Sequence, residues 1–434
     1  MATQVSVVTA ATGVVAFYST YAGARSAASS GDLIQIWADL YDEKILLKNN
    51  VDIWIAPGRI IQTTESEHLI TDKDGGSSTA VNVKITGNGF LKNMSQKYSC
   101  VAIFNQNSRV YIECESLESN GYEDDDESAT VYFENAASIT ILAKKIYNSK
   151  RKAISFANEV SDINIKVGTI EGGYYDEDFT GGDTITIRGS GYLTANEVIS
   201  NSNGSCLAHK AGNFTANILK LTTTLNRSDS PNATVELSGG TGDQILTLQC
   251  DEIKATHAVC VKQEEGFLNL KARSIYSVYA LSMDLSANAD IEAVDIVSDS
   301  KGINIHNSSS QKIIIDANSI IGSNGNDGVV RSSSGSNYVL RNAKIKNTFT
   351  TGDSVCIYIE SGNTNVQNIE IENIILVTGN SLSGKPIYRP GTNTININNY
   401  GLFVNRVIDR TLIILKIGTG TEGNYKFIQS SDIT

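Results

Sequence analysis

A chain of 434 residues with 41% hydrophobic content can bury a large core, which excludes wholesale disorder, and 4 prolines leave no room for a Pro-rich linker architecture. A formal net charge of -12 disfavours a nucleic-acid surface, which needs a clustered positive field, and electrostatic attachment to anionic lipid. Six cysteines (Cys100, Cys114, Cys206, Cys250, Cys260 and Cys356) include no C-x-x-C pair and read as reduced thiols, not as zinc ligands or disulfides.

The chain begins "MATQVSVVTAATGVVAFYST", with no basic n-region and no long apolar run before a small-residue cleavage site. It is a poor secretion signal, and synthesis in a reducing cytoplasm is expected. No stretch approaches the roughly 18 apolar residues of a membrane span, so no membrane insertion is expected. Residues 18–30, "YSTYAGARSAASS", predict the single short helix, placed to plug the N-terminal mouth of a repeat that starts at residue 31.

From residue 31 the pattern turns to alternation. A four-residue phrase recurs about every 26 residues, within the range of solenoid repeats. It reads VAIF (ending at Phe104), TVYF (Phe133), AISF (Phe156), TITI (Ile187), CLAH (His209) and TVEL (Leu237). It continues as AVCV (Val261), ALSM (Met283), GINI (Ile305), GVVR (Arg331), CIYI (Ile359) and PIYR (Arg389). The second position is apolar throughout and the third is mixed, so positions two and four are expected to face a core. On that alignment Phe104, Phe133 and Phe156 should form a buried stack. A second apolar column follows at Leu117, Ile146, Ile170, Ile253, Ile275, Ile296, Ile320, Ile345 and Ile374.

Helical patterning is absent between these runs, which excludes βα repeats, and the Leu-Asn consensus of leucine-rich repeats is missing. What remains is an all-β fold, a parallel β-helix solenoid whose coils stack in register. Asn105, Asn135, Asn158 and Asn307 fall at or near the corner after the phrase, where Asn tolerates left-handed backbone and can bond the next coil. The expected division is an N-terminal segment and helical cap over 1–30, the β-helix over 31–398, and a β-rich C-terminal extension over 399–434. In that extension "TLIILKIG" is apolar enough either to cap the last coil or to make an oligomer contact.

"SAASSGDLIQIWADLYDEKILLKNNVDIWIAPGRII", followed by "VKITGNGFL", resembles the opening coils of the pectate-lyase-like superfamily of right-handed parallel β-helices. Within it, the variable turns, the absence of a signal peptide and the C-terminal extension look most like phage tail-spike or tail-fibre proteins. The resemblance implies a right-handed single-stranded β-helix, a surface polysaccharide as partner, a homotrimer, and a virion or extracellular location. It also implies two functions: recognition of the glycan, or its depolymerisation by a lyase or glycoside hydrolase. The polygalacturonase-like signatures are not present as a set, and Gly-His-Gly occurs nowhere.

One edge concentrates charge. "NGYEDDDES" precedes TVYF, "NSKRK" precedes AISF and "GGYYDEDFTGGD" precedes TITI, an acid, base, acid ladder if the coils stack in register. The bland reading is mutual neutralisation on a solvated edge. The catalytic reading takes Asp126, Lys150, Arg151 and Asp178 as candidates, with acidic tiers about 10 Å apart, near the upper end for inverting glycosidases. In a lyase, carboxylates would hold Ca²⁺ while Lys150 or Arg151 handles a proton; no other cofactor is called for. Tyr122, Tyr174 and Tyr175 are candidates to stack on sugar rings. Loops 222–232 and 377–385 interrupt the repeat on the same edge. No dedicated metal-ligand set is evident. His209 and His306 read as buried or corner residues, and His68 and His257 have no evident sequence partners.

Overall fold

A computed structural model describes residues 4–121, 128–174, 182–201, 204–224, 233–240, 242–308, 310–325, 327–333, 336–350, 354–360 and 367–379, with strand backbone alone at 173–174, 367–368, 385–388, 395–399, 402–406, 412–415 and 426–429. The chain forms two compact units, Met1–Leu219 and Lys220–Thr434. Each is a stack of right-handed parallel β-helix coils, as alternation with a solenoid period predicts.

In the first unit a coil consists of a short strand, such as Val131–Phe133, and a long bent strand, such as Ser138–Asn148. Inward columns are continuous: Ile112 lies on Ile141, then Ile165, then Leu193, and Leu117 lies on Ile146, then Ile170, then Val198. Each is buried, so the stabilisation is apolar area removed from water along the stack. In the second unit Ile253, Ile275, Ile296, Ile320 and Ile345 stack in the same way. The next residue of this column is Leu376, whereas the expected Ile374 pairs with Leu402.

The expected aromatic stack is corrected. Phe133 packs on Phe156, ring centroids 5.1 Å apart, but Ile103, not Phe104, is in register with Phe133. Phe104 lies one residue further along, on the other side of the strand, against Tyr132 and His68. A slip of one residue reverses the face, because side chains alternate with period two.

All six cysteines sit in columns of small residues. The residue entering the short strand is small in nearly every coil: Cys100, Thr130, Ala153, Thr184 and Cys206 in the first unit. In the second unit the series runs Thr234, Cys260, Ser282, Gly302, Val329 and Cys356. Hydroxyls and thiols here donate to carbonyls at the ends of long strands, as Thr130 does to Tyr147 (2.8 Å), Cys260 to Tyr276 (3.1 Å) and Ser282 to Val297 (2.6 Å). Cys114 stacks on Ala143, and Cys250 on Ala272, where the long strands bend. Burial pushes the Cys114, Cys250 and Cys356 thiols up to about 12.

Asparagines tie the corners. Asn135 Nδ2 reaches the Phe104 carbonyl and Asn158 Nδ2 reaches Asn135 Oδ1, both at 3.3 Å, which is the coil-to-coil bonding expected of them. A stronger set lies before the short strands. Buried Asn148 donates to the Ser128 and Lys152 carbonyls and accepts from the Lys150 and Arg151 amides.

The N-terminal cap is a helix plus a hairpin. Helix α1 spans Tyr21–Ala27, with Thr20 as N-cap accepting from the Gly23 amide. Buried Tyr21 donates its hydroxyl to the Leu46 carbonyl at 3.0 Å, which docks the helix on the first coil. Strands β1 (Val5–Val8) and β2 (Val15–Tyr18) form an antiparallel pair, and β1 also pairs antiparallel with β3 (Leu33–Ile36). The sequence pattern alone does not predict this hairpin. In the C-terminal segment, backbone Leu412–Leu415, within the run read as a cap or an oligomer contact, pairs antiparallel with Lys426–Gln429.

Candidate functional site

In the short strands of the second unit a polar or charged residue stands between two buried ones: Val235-Glu236-Leu237, Val261-Lys262-Gln263, Met283-Asp284-Leu285, Ile303-Asn304-Ile305 and Val330-Arg331-Ser332. Their register places Glu236 beside Lys262, then Asp284, Asn304, Arg331 and Tyr358. The flanking residues face the core, so the middle residue of each coil must point outward. The result is a polar ladder of one side chain per coil, about 4.8 Å apart.

The ladder is bonded laterally. Lys262 pairs with Glu264 (2.7 Å), and Arg331 with Glu360 (3.1 Å). Asp284 accepts from Asn304 Nδ2 (2.9 Å) and faces His306 Nε2 (3.2 Å). Lys301 and Arg331 both approach Asp327, at 2.8 and 3.9 Å. The Arg331 guanidinium lies over the Tyr358 ring, 5.8 Å from its centroid. The hydrogen bond to Glu264 raises the Lys262 pKa, with the Glu264, Glu236 and Asp284 charges adding to it, and the Lys301 ammonium holds Asp327 below the usual carboxylate value. The ladder presents both donors and acceptors to solvent.

A second element borders this face. At the corners that lead into the short strands, His257 and Tyr279 stack with ring centroids 4.4 Å apart and planes 20° apart. Tyr279 is 63% exposed, an open aromatic surface.

The first unit offers no counterpart among its described residues. Its equivalent outward column is Ala102, Tyr132, Ser155, Thr186 and Ala208, all buried. Of the residues singled out from the sequence, Tyr122, Asp126, Tyr175 and Asp178 lie outside the described residues, and Tyr174 is placed only as strand backbone. Lys150 is exposed, whereas Arg151 is 6% exposed; both backbone amides donate to Asn148 at 2.9 Å. Asp183, at the end of the second acidic loop, accepts from the Ser205 amide (3.0 Å) and the Thr186 hydroxyl (3.3 Å).

The histidines divide. His209 is fully buried, with Nε2 2.9 Å from the Gly212 carbonyl, as its place in the inward column suggests. His306 lies at the corner just past the strand Ile303–Ile305, as expected, exposed and facing Asp284, and His68 is buried and accepts from the Ser99 amide through Nδ1. Arg331 is corrected: the phrase alignment put it inward, but Val330 is in register with Ile303 and Arg331 with outward Asn304.

The ladder itself is not evident from the recurring phrase. The phrase alignment takes Cys260, Ser282 and Val330 as the outward column, whereas Lys262, Asp284 and Arg331 occupy it. The available signal is a polar or charged residue between two apolar ones, or with a Gln or Ser on one side, in coil after coil.

Among the described residues no group of three or more His, Cys, Asp and Glu is arranged to hold a metal ion, and no helix is long and apolar enough to cross a membrane. No protein-family model, curated protein or solved structure matches the chain.

Proposed function

We propose that this chain is a recognition β-helix of the phage tail-spike or tail-fibre kind, which binds a surface polysaccharide along the outer face of its short strands. The observation that carries the reading is the ladder from Glu236 to Tyr358: a regular row of hydrogen-bonding side chains with a spacing close to one sugar ring, bordered by an exposed aromatic. A rigid scaffold with one side chain per coil holds such groups at little entropic cost on binding. A virion or extracellular setting fits that role. So does a parallel homotrimer, for which the C-terminal segment is the candidate contact.

The depolymerase reading is favoured by one feature. Glu236 and Asp284 lie two coils apart with Lys262 between them, so their carboxylates fall about 10 Å apart, near the inverting-glycosidase range. Incubation with host surface polysaccharide separates the two. Retention without new reducing ends or unsaturated-sugar absorbance supports recognition. Turnover lost in Glu236→Gln or Asp284→Asn identifies an enzyme, and turnover lost only in Lys150→Ala or Asp178→Asn moves the site to the charged loops before AISF and TITI. Sedimentation of the full chain and of a chain ending at residue 399 tests assembly: a monomeric full chain at micromolar concentration removes the trimer.

A further inference from the structure

We infer that the polysaccharide held on this face is uncharged, and that the Tyr279–His257 platform is its aromatic subsite; the inference rests on the recognition reading above. A polymer of uronic or sialic acids needs cations to meet its carboxylates, and the face has none in surplus among its described residues. Lys262, Lys301 and Arg331 each already lie within 3.1 Å of a carboxylate of the protein, from Glu264, Asp327 and Glu360 respectively. Glu236 and Asp284 add two more negative charges to the same row. An anionic glycan would have to displace those pairs and approach a chain of formal charge -12. A neutral glycan meets no such repulsion, and its hydroxyls can both donate to Asp284 and accept from Arg331.

The aromatic pair supplies what a neutral sugar needs. The apolar face of a pyranose ring packs against an aromatic face, and Tyr279, 63% exposed, presents one braced from behind by the nearly parallel imidazole of His257. Bracing fixes the ring plane before the ligand arrives, so little rotamer entropy is lost on binding. Continuity with the ladder comes from the next corners, where Lys301 bonds Asp327 and Asp327 reaches Arg331.

The test is binding of the full chain to two panels: neutral polymers (glucan, mannan and galactan) and acidic ones (polygalacturonate, alginate and polysialic acid), each in low salt and in about 0.5 M NaCl. The expected result is binding to at least one neutral polymer with less than twofold change across salt. Tyr279→Ala should weaken it at least tenfold, while Tyr279→Phe retains it. The circular dichroism of both variants should match the parent, because the side chain is mostly exposed. Binding confined to acidic polymers, affinity that collapses in salt, or an unchanged Tyr279→Ala would each overturn the inference while leaving glycan recognition standing. Binding to neither panel would overturn the recognition reading along with it.

Discussion

Phe133 and Phe156 face one another across adjacent coils at 5.1 Å, while Phe104, one coil earlier and at the same place in the recurring phrase, is turned to the opposite side of its strand. The pair is core and the third ring belongs to an outer cluster with Ala102, Ala129 and Tyr132. Phe133→Ala should cost about 3–5 kcal/mol, the range for emptying a buried aromatic site. A double-mutant cycle between Phe133 and Phe156 should show coupling of about 0.5–1.5 kcal/mol, and one between Phe104 and Phe156 should be additive within error. Denaturant midpoints followed by tyrosine fluorescence and amide exchange decide it.

Asn148 satisfies four backbone groups at a buried corner. Asn148→Ala leaves two carbonyls and two amides to find other partners, and a cost on the order of 3 kcal/mol is expected. Asn148→Asp keeps the acceptor and loses both donated bonds, so it should restore little. The readout is amide exchange at Lys150 and Arg151, which should accelerate in Asn148→Ala and stay unchanged if the asparagine is dispensable.

The thiols are predicted to be inert in the folded chain. Desolvation holds Cys114, Cys250 and Cys356 near 12, so the thiolate fraction at pH 8 is negligible. A thiol-specific reagent should label none of the three without denaturant and all of them with it. Cys260→Ser should be nearly neutral, because Ser282 fills the same column one coil away with the same carbonyl bond. Cys260→Leu should cost about 1–3 kcal/mol by overpacking.

Asp32 makes the N-terminal cap sensitive to acid. Its carboxylate accepts from the Ser29 amide at 2.7 Å and the Ala10 amide at 2.9 Å, and these bonds hold its pKa below the ordinary 3.8. A carboxylate depressed in the folded state contributes stability that is present above 3.8 and lost as pH falls through the lower folded value. Exchange of the Ala10 amide, corrected for intrinsic rate, should therefore rise below that value in the parent. Asp32→Asn should show faster exchange at neutral pH and no such acid step.

The coil repeat, the inward columns after the corner and the short N-terminal helix are legible in the sequence because each rests on period-two or period-3.6 patterning within a few residues. The facing of individual side chains is less so. VAIF is one residue out of register with TVYF, AVCV and ALSM together are two out with TVEL and GINI, and only the pairing of coils fixes which is meant. A two-residue slip preserves inside and outside, so it is invisible to alternation, yet it puts Cys260 and Ser282 where Lys262 and Asp284 belong in the outer column. The N-terminal hairpin is hidden for a different reason: its partner strand Leu33–Ile36 lies beyond the helix, and the pairing is antiparallel in an otherwise parallel stack.

In the second unit Ile253, Ile275 and Ile296 occupy one column, and Val235, Val261 and Met283 another, with like flanks on every tier. A segment bounded by equivalent points of successive tiers is therefore a removable module. Excising residues 254–275 joins Ile253 to Tyr276, which already sits over Lys254, and sets Met283 upon Val235 with all inward columns intact. Gene duplication or loss of such a module would lengthen or shorten the row of outward groups by one, here removing Lys262 and bringing Asp284 against Glu236. The architecture thus converts a change in copy number into a change in the sequence of charges offered to a ligand, without redesigning the interior.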